Sequence, residues 1–449
     1  MMLASGTRGD VQPFLALALG LRRVGVPVVL GAAPRFRSLV EGRGVEFAAL
    51  EGNPSDLMAG DSRSMPVSLR GGAARGAAAT VRFLRDAQPE YRRMLESAAA
   101  LCGLSGAAAG AGIRAAVHPP ARAVLVGLAS TWGLSIAEAL GVPAVLCMLQ
   151  PFGRTRAFPS ALLPFRFSLG AAYNGLSYRV VEQSMWLPWR RTINEWRRRM
   201  LGLAPLPLWG GLPASGFPCL YGFSPAVAPA PPDWPAGHLV TGYWFLEDAA
   251  GWAPAPGLQR FLASGVPPLY IGFGSMGMQG GIGALKVIEK ALVSSGLRAV
   301  VSAGAGPGLP RPAEGSRCLF VGDEVSHSWL FPRMAAVMHH GGAGTTAMGL
   351  RAGVPSIIVP TAADQYFWGE RVARNGAGPK PLRPRDLTAA ALARVFTRVV
   401  TDQGMKEKAR LLGGKIRAEN GVERAVEALV PLIGSSDPAR LQAPHRPSS

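Results

Sequence analysis

Apolar and polar positions along the first half of the chain follow the periods of strands and helices in turn. Short apolar runs predict five buried strands, at residues 2–4, 26–30, 45–49, 123–127 and 144–148. Segments with helical character lie between them, at residues 14–23, 35–42, 63–112 (with a loop at 62–72) and 135–140. Because strands separated by helices form parallel βαβ units, this half predicts an α/β domain built on a parallel sheet.

The same alternation returns in the second half, after a dense run of prolines. It predicts strands at residues 268–273, 299–302, 318–321 and 356–359, one more ending at 338, and helices at 284–295 and from 388 to 433. Proline fixes φ and lacks a backbone N–H, so residues 218–252 predict a segment without helix or central strand. We therefore expect a Rossmann-like domain at 1–228, a linker at 229–255, a second Rossmann-like domain at 256–433 and a disordered tail at 434–449.

Charge and composition narrow the class of partner. The 449 residues carry a formal net charge of +19, which attracts an anionic membrane surface, an anionic small molecule or nucleic acid. No helix-turn-helix, zinc or RNA-binding signature accompanies the charge, so we expect no nucleic-acid partner. The four cysteines show no CxxC spacing, which fits a reducing cytoplasm. The longest charge-free apolar stretch before Glu138, residues 123–137, is shorter than the roughly 18–20 residues that span a bilayer, so we expect no transmembrane helix.

The most informative stretch follows the predicted strand that ends at Met338. It reads HHGGAGTT over residues 339–346, and its glycines let the backbone turn sharply before the threonines open a helix. Exposed amides and the helix dipole at such an N-terminus attract phosphate, and His340 can add a hydrogen bond or a charge. After the next strand, Asp364 and Gln365 offer a carboxylate and an amide that suit sugar hydroxyls. The combination predicts a nucleotide-sugar site, although the glycines alone would fit simple packing of a Rossmann-like unit equally well.

Further stretches extend this pattern along the chain: GTRGDVQP at 6–13, YGFSP at 221–225, TGYWF at 241–245, IGFGSM at 271–276 and WLFP at 329–332. Together they resemble the inverting glycosyltransferases of the UDP-glucosyl/glucuronosyl transferase superfamily (glycosyltransferase family 1). The resemblance is to its sterol 3-beta-glucosyltransferase branch, with the antibiotic-aglycone glycosyltransferases nearby, and covers roughly residues 3–433. It implies the GT-B fold, in which two Rossmann-like parallel-sheet domains face each other across a cleft. The N-terminal domain would bind the acceptor and the C-terminal domain the nucleotide-sugar donor.

Asp10 is the candidate catalytic residue. It follows the first strand, where parallel α/β domains place their ligands, and the resemblance implies that it is the general base. Asp10 would alternatively cap a helix that starts at Val11, or do both. Thr7 and Arg8 share its loop as candidate donor-binding residues, and Arg8 would meet either the diphosphate or a surface carboxylate.

The resemblance assigns the donor diphosphate to residues of the second domain. These are Ser275, His340, Gly342, Gly344 and Thr345, while Asp364 and Gln365 would hold the sugar. A plain strand-to-loop turn is the alternative for Ser275, and His339 is expected to be a core histidine.

Recognition of the base departs from the plant pattern. Plant members carry a tryptophan and a glutamate where this chain has Gly322 and Met348, so backbone amides near Val325 are expected to bind the base. UDP rather than TDP is an inference from the resemblance alone. Ser326 and Ser328 replace the proline and aspartate usual in the sterol branch.

No Asp-x-Asp motif occurs in the chain, which argues against transferases that hold a divalent ion on the diphosphate. A helix dipole and a histidine would take that role, so we expect neither metal nor cofactor, with the UDP-sugar as co-substrate.

Two sets of aromatic residues are candidates for contact with a membrane or with the acceptor. Residues 178–200 combine three tryptophans with six arginines, which fits either a helix lying on anionic lipid or a helical hairpin with a solvated arginine face. Phe152, Phe158, Phe165 and Phe167 would line an apolar acceptor cavity or support its core.

The sequence thus predicts a cytoplasmic inverting transferase, with peripheral membrane contact as a further expectation. It would move a hexose, glucose by resemblance, from a UDP-sugar to a hydroxyl of a sterol-like or other lipophilic acceptor. The alternatives are a TDP- or UDP-sugar-dependent natural-product glycosyltransferase and a non-catalytic homologue that binds lipid or nucleotide-sugar.

Overall fold

The computed structural model describes residues 1–52, 54, 72–104, 121–163, 167–210, 216–248, 252–272, 282–302, 317–322 and 325–434. Ser275, Phe165, the loop expected at 62–72 except for Gly72, and the tail expected at 434–449 except for Gly434 lie outside these residues. Gly72 and Gly434 belong to helices.

The N-terminal half forms a parallel sheet in the order β3-β2-β1-β4-β5-β6-β7. Its strands are β1 (Met2–Leu3), β2 (Val29–Ala32), β3 (Glu46–Ala49), β4 (Val124–Val126), β5 (Ala144–Met148), β6 (Cys219–Tyr221) and β7 (His238–Val240). The sheet registers β1 between β2 and β4, with Met2 opposite Leu30 and Leu125. Because β1 is an interior strand, the loop that follows it starts in the middle of the carboxyl edge of the sheet.

Helices cover this sheet. They are α1 (Arg8–Arg23), α2 (Arg37–Glu41), α3 (Gly72–Leu101), α4 (Leu134–Leu140), α5 (Ala171–Trp186) and α6 (Arg190–Met200), with short 3₁₀ turns at Pro34–Phe36 and Leu128–Gly133. Helix α1 begins earlier than the expected residue 14, because Thr7 is its N-cap and the Asp10 carboxylate accepts a hydrogen bond from the Thr7 N–H. Pro13 is tolerated inside the helix at the cost of one backbone hydrogen bond.

The expectation that residues 218–252 lack a central strand was wrong. Strand β6 lies inside the sheet and β7 at its edge, although both fall in the proline-rich stretch. Neither strand contains a proline, so each keeps the N–H groups that its ladder needs. The domain limits proposed from the sequence stay predictions.

The C-terminal half forms a second parallel sheet in the order β10-β9-β8-β11-β12. Its strands are β8 (Leu269–Gly272), β9 (Ala299–Ser302), β10 (Cys318–Val321), β11 (Ala336–His339) and β12 (Ser356–Ile358). Its helices are α7 (Pro256–Ala263), α8 (Ile282–Ser295), α9 (His327–Leu330), α10 (Ala343–Ala352), α11 (Gln365–Arg374), α12 (Ala389–Thr401), α13 (Gln403–Arg417) and α14 (Gly421–Gly434), with 3₁₀ turns at Phe331–Arg333 and Pro384–Asp386.

The last helix, α14, packs against α1 of the N-terminal half. A side chain at Gly20 of α1 would collide with Val422 and Val426, so the glycine allows α14 to approach closely. Arg23 and Glu423 pair at 3.1 Å beside this contact. The two halves are therefore tied together at a point remote in sequence.

Aromatic residues that follow β5 and β6 join the first half of the chain to α11. The rings of Phe158 and Phe367 lie 5.7 Å apart, and those of Phe223 and Trp368 lie 5.6 Å apart. Each pair combines one residue from the first half with one from α11. The start of α11 is thereby held against the N-terminal domain.

Candidate functional site

Asp10 lies in the first turn of α1, just beyond the carboxyl end of β1. Its Oδ2 accepts hydrogen bonds from the Thr7 N–H at 2.7 Å and from the Thr7 hydroxyl at 2.9 Å. Burial raises the pKa of the Asp10 carboxyl, and the bonds from Thr7 oppose that rise. Asp10 is therefore both a capping residue of α1 and a carboxylate held in place by Thr7.

Glycine is required beside Asp10. Gly6 adopts a φ of +123°, and a Cβ at this position would overlap the Asp10 carboxylate. The Gly6 carbonyl accepts a hydrogen bond from Arg35 at 2.8 Å, which fixes the turn from the far side. The loop thus presents the carboxylate in one defined orientation.

A small pocket opens next to Asp10 where β1, β4 and β5 end. Ser5 follows β1, Gly127 follows β4, and Leu149 and Gln150 follow β5. The carboxyl ends of parallel strands are the usual location of ligands in open α/β sheets.

The turn between β11 and α10 has the geometry of an anion site. Gly341 adopts a φ of +92° and Gly342 is the N-cap of α10. The first helical hydrogen bond runs from the Thr346 N–H to the Gly342 carbonyl at 2.9 Å, so the amides of the preceding turn have no acceptor within the helix. The space above Gly344 is open. These amides and the helix dipole favour a phosphate at this end.

His340 lies against this turn. A Cβ on Gly342 would come within 2.5 Å of His340 Nε2, so only glycine leaves room for the ring. Burial lowers the pKa of His340 to about 4, which makes the imidazole neutral near pH 7. Of the two roles that the sequence leaves open for His340, this low pKa favours a hydrogen bond over a charge.

His339 is a core residue, as the sequence predicts. It is fully buried, and its Nδ1 accepts the Gly341 N–H at 3.1 Å. Burial holds the pKa of His339 well below its usual value. The neutral ring thus supports the turn from behind.

Asp364 lies between β12 and α11. Its Oδ2 accepts a hydrogen bond from Trp368 Nε1 at 2.8 Å. The pKa of Asp364 is raised to about 6, mainly by burial and to a smaller extent by repulsion from the Asp10 carboxylate. Asp364 is the N-cap of α11, whose Phe367 and Trp368 pack on Phe158 and Phe223, so this end of α11 lies on the side of the second domain that meets the first.

The side chain of Gln365 forms hydrogen bonds within the loop that precedes α11. Its Oε1 accepts hydrogen bonds from the Thr361 N–H at 2.8 Å, the Thr361 hydroxyl at 3.0 Å and the Ala362 N–H at 3.1 Å. Ala363 is the one non-glycine residue with positive φ in the described part of the chain, at +50°. Such strain, about 1–3 kcal/mol, is common where a loop is shaped for a ligand. Gln365 therefore shapes the loop with its oxygen and has its NH₂ group left to donate.

The other predicted residues belong to both halves of the chain. Thr7 and Arg8 are exposed at the start of α1, and Thr345 is half-buried in the first turn of α10. Val325 is half-buried between β10 and α9. Ser275 lies outside the described residues. The ligand contacts of all of these stay predictions.

The sequence reading missed two supporting residues. Trp368 holds Asp364 and lies four residues after it, a helical spacing that would have allowed its detection. Asp248 accepts hydrogen bonds from the Ser326 hydroxyl at 2.6 Å and from the Ser328 hydroxyl. No local pattern links Asp248 to these serines, because the contact joins distant parts of the chain.

The tryptophans of residues 178–200 do not face lipid. Trp186 and Trp196 are buried, and Trp189 stacks on Tyr91 with ring centroids 4.2 Å apart. Arg197 is buried and binds Glu138 at 2.7 Å. The segment is a helical hairpin, α5 and α6, whose aromatic side chains belong to the core of the domain.

The phenylalanines that were expected to line the acceptor cavity differ in burial and in position. Phe152 is buried, Phe158 contacts α11, and Phe167 is 53% exposed. Phe158 is thus the member placed at the junction of the two domains.

The described residues contain neither a metal-binding cluster nor a helix that could span a membrane. No group of three or more His, Cys, Asp or Glu side chains there is arranged to hold a metal ion. None of the helices in that part of the chain has the length and apolar character needed to cross a bilayer.

Comparisons with known proteins agree with the fold of two parallel-sheet domains. The glycosyltransferase family 28 N-terminal domain matches residues 1–159, and the erythromycin biosynthesis protein CIII-like C-terminal domain matches residues 318–431. In solved structures, the glycosyltransferase of kitacinnamycin has a TM-score of 0.65 at 16% identity, over 96% of this chain and 98% of that one. The glycosyltransferase SnogD from Streptomyces nogalater has a TM-score of 0.60 at 19% identity, over 96% and 98%. The fold is GT-B.

Sequence relatives are more informative. A sterol 3-beta-glucosyltransferase of Cryptococcus neoformans is 35% identical over 453 residues, which cover 95% of this chain but 27% of that protein. The chain spans 28% of a similar enzyme from Leptosphaeria maculans. A sterol 3-beta-glucosyltransferase of Arabidopsis thaliana is 35% identical over 430 residues, which cover 95% of this chain and 67% of that protein. The chain belongs to the sterol 3-beta-glucosyltransferase family.

Proposed function

We propose that this protein is an inverting hexosyltransferase that moves glucose from UDP-glucose to the hydroxyl of a sterol. The observation that carries the proposal is the packing of α11 on the N-terminal half, which brings the Asp364 end of α11 to the domain that contains Asp10. The His340 turn follows β11, which pairs with β12, the strand that precedes Asp364. The names of the relatives supply the sterol and the glucose.

In this proposal Asp10 takes the proton of the acceptor hydroxyl. The acceptor oxygen then attacks the anomeric carbon of the donor as the bond from that carbon to the diphosphate oxygen breaks. The electron pair leaves on UDP, the proton stays on Asp10, and the configuration at the anomeric carbon inverts. A raised pKa suits a base that must accept a proton near neutral pH.

The departing diphosphate needs stabilisation on the opposite side. The unpaired amides at the start of α10, with Gly342, Gly344 and Thr345, would receive its charge, and His340 would donate a hydrogen bond. Ser275 and Arg8 remain proposed contacts of the diphosphate. No metal takes part in this scheme.

The sugar and the base would bind at the rim of the same sheet. Asp364 Oδ1 and the Gln365 NH₂ group would bind sugar hydroxyls, while amides near Val325 would bind uracil. Transfer of a TDP-deoxysugar to a polyketide is the alternative. Thymidine diphosphate is bound in the SsfS6 structural neighbour, whose 18% identity establishes only the fold.

Product analysis tests the proposal. The full chain would be incubated with UDP-glucose or TDP-glucose and a panel of sterols and macrolide aglycones, and products identified by mass spectrometry and NMR. We expect a β-linked sterol glucoside and equimolar UDP. Transfer confined to TDP-sugars and aglycones, or an α-linked product, would overturn it.

A further inference from the structure

Helix α5 exposes an apolar face to solvent. Leu176 is 58% exposed and Val180 54%, one helical turn apart. Leu187, at the C-cap of the helix, is 46% exposed and lies eleven residues after Leu176, which returns to the same face. Leu169, just before the helix, is 73% exposed. This face is separate from the buried tryptophans of the hairpin.

A second exposed segment lies beside this face. Gln183 Nε2 donates to the Leu208 carbonyl at 2.9 Å, and Trp186 Nε1 donates to the same carbonyl at 3.2 Å. These bonds hold Leu208 and Trp209, which are 44% and 71% exposed, alongside α5. The α5 patch is thus formed by Leu169, Leu176, Val180, Leu187, Leu208 and Trp209.

The charge around the α5 patch is strongly positive. The hairpin from residue 171 to residue 200 contains six arginines and two glutamates. Glu182 is paired with Arg154, with both oxygens 3.0 Å from its Nε, and Glu195 is paired with Arg92 at 3.2 Å. Glu195 also pairs with Arg199 at 3.0 Å, and Arg197 is buried against Glu138. Both glutamates of the hairpin are therefore paired, and Arg179, Arg191 and Arg198 are the exposed arginines of the hairpin outside these pairs.

The exposed arginines lie close to the apolar residues in sequence. Arg179 on α5 and Arg191 on α6 are both exposed. An apolar face fringed by arginine is the pattern of a helix that lies in an anionic membrane interface. A second copy of this chain would bring two positive fringes together, which is unfavourable.

We propose that the α5 patch docks the protein on an anionic lipid bilayer. The apolar side chains enter the interface and the arginines bind lipid phosphates. The occupant is the one that the sequence suggested for residues 178–200, but the contacting side chains differ, since the leucines and Trp209 make the contact and the hairpin tryptophans do not.

The patch is connected to the cleft. On the inner side of α5, Ser177 Oγ accepts the Ser160 N–H at 2.8 Å, and Asn174 Nδ2 donates to the Arg156 carbonyl at 2.8 Å. The segment between these two points contains Phe158, which contacts α11 of the donor domain. Docking therefore places the acceptor side of the cleft near the bilayer, a consequence that rests on the proposed function.

Vesicle sedimentation tests the docking. The purified full chain is mixed with vesicles of phosphatidylcholine alone or of phosphatidylcholine with phosphatidylglycerol, without donor or acceptor. The test variant is Leu176→Glu with Val180→Glu. The matched control is Val293→Glu with Leu411→Glu, which changes exposed residues of the donor domain (67% and 51%).

We expect binding to the anionic vesicles, at least about tenfold weaker for the test variant and unchanged for the control. Arg179→Glu with Arg191→Glu should also weaken binding, and salt should weaken it for every form that binds. Circular dichroism and unchanged UDP affinity would establish that the test variant is folded.

Equal sedimentation of the test variant and the control would overturn the proposal. So would a dimer that dissociates in the test variant, with no vesicle binding by any form, because the patch would then join two copies. Binding without glucosyl transfer would leave the docking intact and count against the proposed function alone.

Discussion

At the scale of single residues, the cleft is organised by pairs in which one member holds the other. Thr7 holds Asp10, Trp368 holds Asp364, and His339 holds the glycine turn. The sequence indicated the ligand-facing members because their residue types suit a diphosphate, a sugar and a proton. It did not indicate Trp368, whose role depends on a side-chain contact.

His340 gives the first prediction. His340→Ala should weaken UDP binding by about 1.5–3 kcal/mol, the value of a hydrogen bond to a charged group. Isothermal calorimetry would measure it, with uridine as the control ligand because it lacks phosphates. Equal losses for UDP and uridine, or none for UDP, would refute the assignment.

The Asp364 carboxylate should lower the stability of the folded protein at pH 7 and strengthen its binding of UDP-glucose. Its folded pKa of about 6 lies above the unfolded value, so the ionised form destabilises the folded state above that pH, and the penalty disappears below the unfolded pKa. Asp364→Asn keeps an acceptor for Trp368, and should raise the melting temperature by a few degrees at pH 7 but not at pH 3.5. It should also weaken UDP-glucose binding more than UDP binding. A variant that melts lower than the parent at pH 7 would contradict this account.

At the scale of elements, the strands predicted at 144–148, 299–302 and 318–321 are confirmed to the residue. Their apolar runs are short and bounded by turn residues, so the period leaves little freedom. The start of α1 and the strands β6 and β7 were missed for opposite reasons. The glycine and proline near Asp10 argue against a helix there, although a capping residue allows one to start. The prolines around β6 and β7 argue against strands, although the two strands themselves contain no proline.

Thr7→Ala tests the cap of α1. Loss of the hydroxyl should reduce the free energy of unfolding by about 0.5–2 kcal/mol and raise the pKa of Asp10 further, since that hydrogen bond lowers it. The acid limb of the transfer rate should therefore move to higher pH. Thr388→Ala, which removes the cap of α12, is the control and should lower stability without moving the limb. An unchanged limb in Thr7→Ala would separate the cap from catalysis.

At the scale of the whole molecule, the resemblance predicted the two-domain GT-B fold, which is confirmed. It did not predict how the halves are joined. The return of α14 to α1 and the contact of Asp248 with Ser326 link residues far apart in sequence, where periodicity carries no information. The replacement of proline and aspartate by two serines acquires an explanation here, because Asp248 supplies the carboxylate from the interdomain segment.

Asp248→Ala should therefore disturb the loop that contains Val325. We expect weaker binding of both uridine and UDP, by about 1 kcal/mol or more, because two hydroxyls lose their acceptor. Glu247→Ala is the matched control, since Glu247 pairs with Arg351 at the exposed surface and should leave uridine binding unchanged. Uridine affinity that is equal in both variants would show that the Val325 loop does not bind the base.

The central claim is that one carboxylate of the N-terminal domain acts on a donor held by the C-terminal domain. The most direct measurement is the rate of glucosyl transfer from UDP-glucose to a sterol by Asp10→Asn, with UDP affinity measured on the same preparation and Asp86→Asn as the control. We expect kcat to fall by roughly 10²–10⁴ while UDP affinity and the control rate stay at their original values. A turnover by Asp10→Asn equal to that of the original protein would contradict the account.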